Sequence, residues 1–162
     1  MADAPGFILI IGAGCIGRGL LAPLAAAAGH GIVFVEANLA FAAALRCAGR
    51  YSVRSVGLTT FETEITPFVV LDATDGNAIH HAVRDCRFAA TCVGGANLPH
   101  VPAVLASGLS QRATPLNVLV CENWPDGAGV LSRELAVGGI PSTGVSAIPC
   151  SVERMVKSVP HS

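Results

Sequence analysis

Six residues near the start of the chain, Gly12-Ala13-Gly14-Cys15-Ile16-Gly17, limit what it can fold into more than any other feature. They read G-x-G-x-x-G and join a short apolar run, Phe7 to Ile11, to an alanine- and leucine-rich stretch, Ile16 to Ala28, that stops at Gly29. A strand that passes into a helix through such a turn needs its first glycine to bend sharply, its second to let a ligand approach the backbone, and its third to pack helix against strand. Free N–H groups and the positive end of the helix dipole then converge where a phosphate can sit.

Alone, that pattern is weak. Ile32 to Val35 adds a second strand, which completes a βαβ unit, and Glu36 ends it nineteen positions beyond Gly17. This is close to the separation expected of a carboxylate that binds the ribose hydroxyls of an adenosine. A carboxylate there repels a 2′-phosphate, and Ala37 and Asn38 offer no arginine to hold one, so NAD is favoured over NADP. Arg18, at the first turn of the helix, suits either a pyrophosphate contact or plain solvent exposure. Pro23 falls inside the same helix, where it is expected to remove a hydrogen bond and bend the axis.

The remaining chain repeats the alternation of helix and buried strand. Asn38 reads as the cap of a helix from Leu39 to Ala48 stopped by Gly49. Tyr51 to Val56 and Thr59 to Ile65 alternate around Gly57 as an inserted hairpin. Val69 to Leu71 is either a parallel strand or a connector. A helix after Asp75, a run from Phe88 to Val93, a helix from Leu98 to Leu109 and a strand from Leu116 to Cys121 follow. The last thirty residues resist placement, and Val152 to Val156 suits strand or helix. With 52% hydrophobic and 13% charged residues, most elements must be covered on more than one side. The pattern predicts one α/β domain, a doubly wound, mostly parallel sheet of the Rossmann type with its ligand at the carboxyl ends of the strands.

Several functions are disfavoured. The formal charge is -1 and no basic run tracks a phosphate backbone, so nucleic acid is not expected as a partner. The uncharged stretch from Gly19 to Val35 is broken by Pro23, Gly29, His30 and Gly31 and is short for a membrane span. No signal peptide is expected. The six cysteines, none at C-x-x-C spacing, read as buried, reduced thiols of a cytosolic protein. His30, His80, His81 and His100 form no metal pattern, and no G-x-S-x-G supports a hydrolase. Two further segments lie at the ligand edge. Thr91-Cys92-Val93-Gly94-Gly95 either passes beneath a nicotinamide or is an ordinary turn. Cys121-Glu122-Asn123 offers a substrate or ribose contact, or a turn residue in Asn123.

Four segments, Ile11-Gly-Ala-Gly-Cys-Ile-Gly-Arg-Gly19, Tyr51-Ser-Val-Arg-Ser-Val-Gly57, Pro115-Leu-Asn-Val-Leu-Val-Cys-Glu-Asn123 and Val152-Glu-Arg-Met155, resemble in order those of the mannitol dehydrogenase family. The resemblance implies a metal-independent cytoplasmic oxidoreductase that oxidises mannitol 1-phosphate at C5 to fructose 6-phosphate with NAD. The family alternatives are free mannitol or a hexuronate; a nucleotide-binding module without turnover is the alternative from another class. It implies that Asn123 approaches the reacting hydroxyl, that Glu36 binds ribose and that Arg154 is structural or interdomain. On this reading Gly12, Ala13, Gly14, Cys15, Ile16, Gly17, Glu36, Asn38, Val93 and Gly94 hold the cofactor. It also implies a helical second domain with a catalytic lysine, which residues 1–162 do not contain: Lys157 is their one lysine and lacks the following asparagine and histidine. The surface left without that domain, around Val145 to Val156, is expected to be apolar and to favour self-association.

Overall fold

The computed structural model describes residues 6–153 and 155–157. Six parallel strands form the main sheet: β1 (Phe7–Ile11), β2 (Gly31–Glu36), β5 (Val69–Asp72), β6 (Phe88–Thr91), β7 (Leu116–Val120) and β8 (Val145–Pro149). Their order, β5-β2-β1-β6-β7-β8, is that of a doubly wound sheet. β1 sits near its middle, paired with β2 from Phe7↔Gly31 to Ile11↔Val35 and with β6 from Ile8↔Phe88 to Ile11↔Thr91. The chain winds outward from β1 first one way and then the other, so a crevice opens at the carboxyl ends of β1 and β6.

Alternate residues of β1 enter different cores, which is why the strand reads as an unbroken apolar run. Leu9 and Ile11 join Val83, Leu98, Leu105, Val118 and Leu131 on the face covered by α3 (Gly76–Asp85), α4 (Val101–Leu109) and α5 (Gly127–Val137). Ile8 and Ile10 join Ala22, Ala25, Phe34, Ala42 and Leu45 beneath α1 (Ala22–Ala27) and α2 (Leu39–Ala48). The α2 limits follow from its caps: Asn38 Oδ1 accepts from the Phe41 N–H at 3.0 Å, and Gly49 closes the helix in the left-handed region at φ 65°. Asp75 caps α3 in the same way, accepting from the Ala78 N–H at 3.0 Å.

The first helix is not continuous α. Gly17–Leu21 is a π-helical turn in which the Ala22 N–H reaches back to the Gly17 carbonyl, and α1 begins only at Ala22, with Pro23 in its first turn. Pro23 therefore lies within a helical run that is continuous from Cys15 to Ala27, and its missing N–H leaves a carbonyl of the preceding turn without that donor. The hydrogen bond that Pro23 was expected to remove thus falls beside a local widening of the helix.

The hairpin β3 (Tyr51–Val56) and β4 (Thr60–Ile65) forms a separate two-stranded sheet. Ile65 is fully buried in the α1 and α2 core, and the Tyr51 hydroxyl donates to the Arg18 carbonyl at 3.0 Å. Val69–Asp72 is a true parallel edge strand. Two elements in the C-terminal part were not legible as such, α5 and the edge strand β8, whereas the described residues from 151 to 157 are neither strand nor helix. Arg154 lies outside the described residues.

The surface expectation needs correction. Among the described residues of Val145 to Val156, Met155 is the one large exposed apolar side chain, while Val56, Leu58 and Phe61 are all exposed on the hairpin. The cysteines also divide: Cys86 and Cys121 are buried, Cys15, Cys92 and Cys150 half-buried, and Cys47 exposed on α2.

One buried group lacks a partner. The Thr91 hydroxyl, at the end of β6, is wholly enclosed and makes no hydrogen bond. Thr91→Val, which keeps the shape and removes the hydroxyl, is expected to stabilise the fold by about 1 kcal/mol. That corresponds to a rise in Tm of roughly 2–4 °C for a domain of this size. Thermal denaturation followed by circular dichroism checks it; a lower Tm would show that the hydroxyl contributes to stability.

Candidate dinucleotide site

The glycine turn sits at the crevice and is shaped by backbone contacts. Gly12 has φ 97°, and a Cβ there would lie against the Cys92 carbonyl, 2.8 Å from its carbon. A Cβ on Gly17 would meet the Gly12 carbonyl oxygen and, at 3.1 Å, the Ile10 side chain, which is the close approach of helix to strand that the motif requires. Gly14 differs. The nearest atom to a Cβ there is the Cys92 carbonyl oxygen at 3.8 Å, so its open side faces the cavity.

Glu36 stands at the tip of β2 beside this turn. One carboxylate oxygen accepts from the Ala13 N–H at 3.0 Å and the other from the Asn38 N–H at 2.8 Å. A carboxylate has about four acceptor sites, so two remain for ribose hydroxyls. Asn38 is therefore a holder of Glu36 and the α2 cap, and its side chain does not line the cavity. Ala13 is fully buried and contributes its N–H. Arg18 is not simply solvent-exposed: its Nε donates to the Ala13 carbonyl at 2.7 Å, and its guanidinium lies 4.9 Å from the Phe41 ring centre and 5.9 Å from that of Tyr51. Burial, only partly offset by the Arg18 charge, holds the Tyr51 phenol well above its usual range. The arginine thus braces the loop against the hairpin from behind.

A cavity of about 460 Å³ connects these parts, lined by Gly12, Gly14, Val35, Glu36 and Ala37 on one side and by Cys92, Val93, Asn97, His100 and Val101 on the other. That volume falls in the range of small-molecule and cofactor sites. Asn97, His100 and Val101 were missed from the sequence; they belong to a 3-10 helix, Gly95–His100, and the start of α4, which carry no ligand signature.

On the β6 and β7 side the polar pair after β7 splits into two roles. Glu122 is held by the chain's own backbone, its oxygens accepting from the Val93 N–H at 2.8 Å and the Gly94 N–H at 2.9 Å. Asn123 is exposed and lines neither this cavity nor a smaller one of about 190 Å³ beside Glu122 and Cys150. Trp124 lies over Gly95, where a Cβ would run into its ring. The thiols nearby are not activated. Burial, with the neighbouring Cys150 thiol, pushes Cys121 up to about 12, and burial pushes Cys92 higher still. Among the described residues no group of three or more His, Cys, Asp or Glu side chains could hold a metal ion, and no helix is long and apolar enough to cross a membrane.

Comparisons with known proteins agree with this architecture. The model of the mannitol dehydrogenase Rossmann domain matches residues 7–156. Mannitol-1-phosphate 5-dehydrogenase from Geobacillus thermodenitrificans is 32% identical over 157 residues, covering 90% of this chain and 40% of that protein. The enzyme of the same name from Brevibacillus brevis is 33% identical over 128 residues, covering 76% of this chain and 33% of that one. The chain thus spans well under half the length of these curated relatives. Among solved structures, Pseudomonas fluorescens mannitol 2-dehydrogenase, in a ternary complex with NAD and D-mannitol, superposes with a TM-score of 0.70 over 90% of this chain and 41% of that one, at 18% identity. With that domain model matched over residues 7–156 and the six strands in doubly wound order, the chain belongs to the mannitol dehydrogenase family and has the fold of that family's Rossmann domain.

Proposed function

We propose that the chain binds NAD at the carboxyl edge of its sheet and is the cofactor-binding unit, residues 1–162, of a cytoplasmic oxidoreductase that converts mannitol 1-phosphate to fructose 6-phosphate. The observation that carries the cofactor reading is Glu36, held by two backbone N–H groups beside the glycine turn and lining the same cavity as Gly14. The names of the relatives support the substrate. A lysine on a further domain, as the resemblance implies, would complete the site.

The residues present fit a dinucleotide. Gly14 leaves its backbone open for a pyrophosphate, whose charge the helix N-terminus that follows would favour, while Glu36 offers its free lone pairs to the adenosine ribose. Bound NAD would supply the hydride acceptor. Val93 and the residues after it border the other half of the cavity, and Asn123, at the mouth of β7, would orient a substrate hydroxyl. Self-association through Val56, Leu58, Phe61 and Met155 belongs to the same proposal and rests on their exposure.

The test compares cofactors by calorimetry. A 2′-phosphate brought to Glu36 meets a carboxylate with no cation offered by Ala37 or Asn38, so NAD(H) is expected to bind at least about tenfold more tightly than NADP(H). Glu36→Gln should narrow the gap. Equal dissociation constants for the two cofactors would refute the assignment of Glu36.

A further inference from the structure

Glu122 is a charged side chain whose two oxygens each accept an N–H of the chain's own backbone, 29 and 28 residues away in sequence. The segment it grips is otherwise tied within its own turn, where the Asn97 N–H donates to the Gly94 carbonyl at 2.8 Å. Gly94 has φ 82°, outside any regular element, and the Val93 carbonyl is met by the Asn97 side-chain amide at 2.7 Å. The peptide groups around Val93 and Gly94 are thus fixed from two directions, by a carboxylate on the β7 loop and an amide on the 3-10 helix. Trp124, two residues beyond Glu122, covers Gly95 and closes the same turn.

The position of this turn gives the grip a purpose. In the sheet, β2, β1 and β6 are consecutive, with Glu36 at the end of β2 and the glycine turn at the end of β1. A dinucleotide whose adenosine ribose lies at Glu36 and whose pyrophosphate lies at Gly14 must extend its second nucleoside over the end of β6, where Val93 lines the cavity. We infer that Glu122 is a positioning residue for the second, nicotinamide-bearing nucleoside: it touches no ligand itself and holds the Val93–Gly94 turn in the shape that nucleoside requires. This rests on the dinucleotide reading above.

The two can be separated by using ADP, which has the adenosine and both phosphates of NAD but lacks the second nucleoside altogether. In Glu122→Gln the amide can accept one N–H but presents its own N–H groups to the other. Calorimetry on the parent and the variant is expected to show NAD weakened about tenfold and ADP unchanged within about twofold, the scale of one lost charge-assisted hydrogen bond felt by one half of the ligand. Glu122→Asp, which restores a two-oxygen acceptor, should recover part of the NAD affinity. If NAD binding is unchanged in Glu122→Gln, or if both ligands weaken in proportion, the inference is overturned while the dinucleotide reading stands. A parent chain that binds neither ligand overturns both. Should Glu122→Gln fail to fold, Asn97→Ala decides: a loss confined to NAD supports the turn as the nicotinamide-side platform, and no loss overturns it.

Discussion

Gly12→Ala will bind dinucleotide at least about a hundredfold more weakly than the parent and will unfold at a markedly lower denaturant concentration. Two costs add at this position. A φ of 97° lies outside the wells that L-residues occupy, which costs on the order of 1–3 kcal/mol. The new methyl would also press on the Cys92 carbonyl, which belongs to backbone and cannot swing aside as a side chain would. Relief requires β1 and β6 to part, yet Cys92 is tied to the Ile11 carbonyl at 2.8 Å and Gly12 to the Val35 carbonyl at 2.9 Å. Together the terms reach roughly 3–5 kcal/mol, a large share of the stability of an ordinary domain. Gly14→Ala supplies the contrast. Its Cβ meets nothing closer than 3.8 Å, so that variant should fold normally and lose only the ligand's close approach. Urea denaturation and NAD calorimetry on both variants decide the matter, and a Gly12→Ala protein with the parent's midpoint and affinity would show that the turn is not under this constraint.

Residues 1–162 alone, supplied with NAD and mannitol 1-phosphate, will produce no NADH above background. Oxidising an alcohol needs a group to take the hydroxyl proton and a charge to steady the developing alkoxide. Near the end of β7 the described residues offer Asn123, whose amide is no useful base at neutral pH. Glu122 is engaged through both oxygens by backbone N–H groups. His100 lines the cavity on the α4 side, among Asn97, Val101 and Val104, and Asn123 is absent from that lining. Base catalysis is typically worth about a hundredfold to ten-thousandfold, and correct positioning can be worth more, so losing both puts the rate below detection. Absorbance of NADH is the measurement. Turnover that vanishes in His100→Ala would relocate the chemistry to this domain.

Much of this fold was readable because its signals are local. Asn38 and Gly49 bracket α2 as caps must, and the glycine turn and Glu36 stand in a fixed order along one βαβ unit. The elements that escaped lack such marks. α5 starts at Asp126, whose backbone is left-handed at φ 53° and whose side chain makes no capping bond, and its first turn holds Gly127 and Gly129. β8 is an edge strand that includes Pro149, a residue tolerated at an edge but which obscures a strand pattern. The π-turn at Gly17–Leu21 has no sequence mark of its own beyond the proline that follows it. In the site, Glu36 was visible because its role depends on position along one unit, whereas the partners of Glu122 are backbone amides of a distant turn, and no residue type encodes them.

Trp124 is the only tryptophan of the chain, about half exposed and laid over Gly95 at the turn that Glu122 holds. Light absorbed selectively by tryptophan is therefore absorbed at one known place, at the turn after β6, rather than in the hairpin or the buried cores. Its emission colour and its accessibility to quenchers report on that turn alone, uncontaminated by the rest of the molecule, so the movement or stillness of the cofactor's platform can be followed in solution without attaching a label.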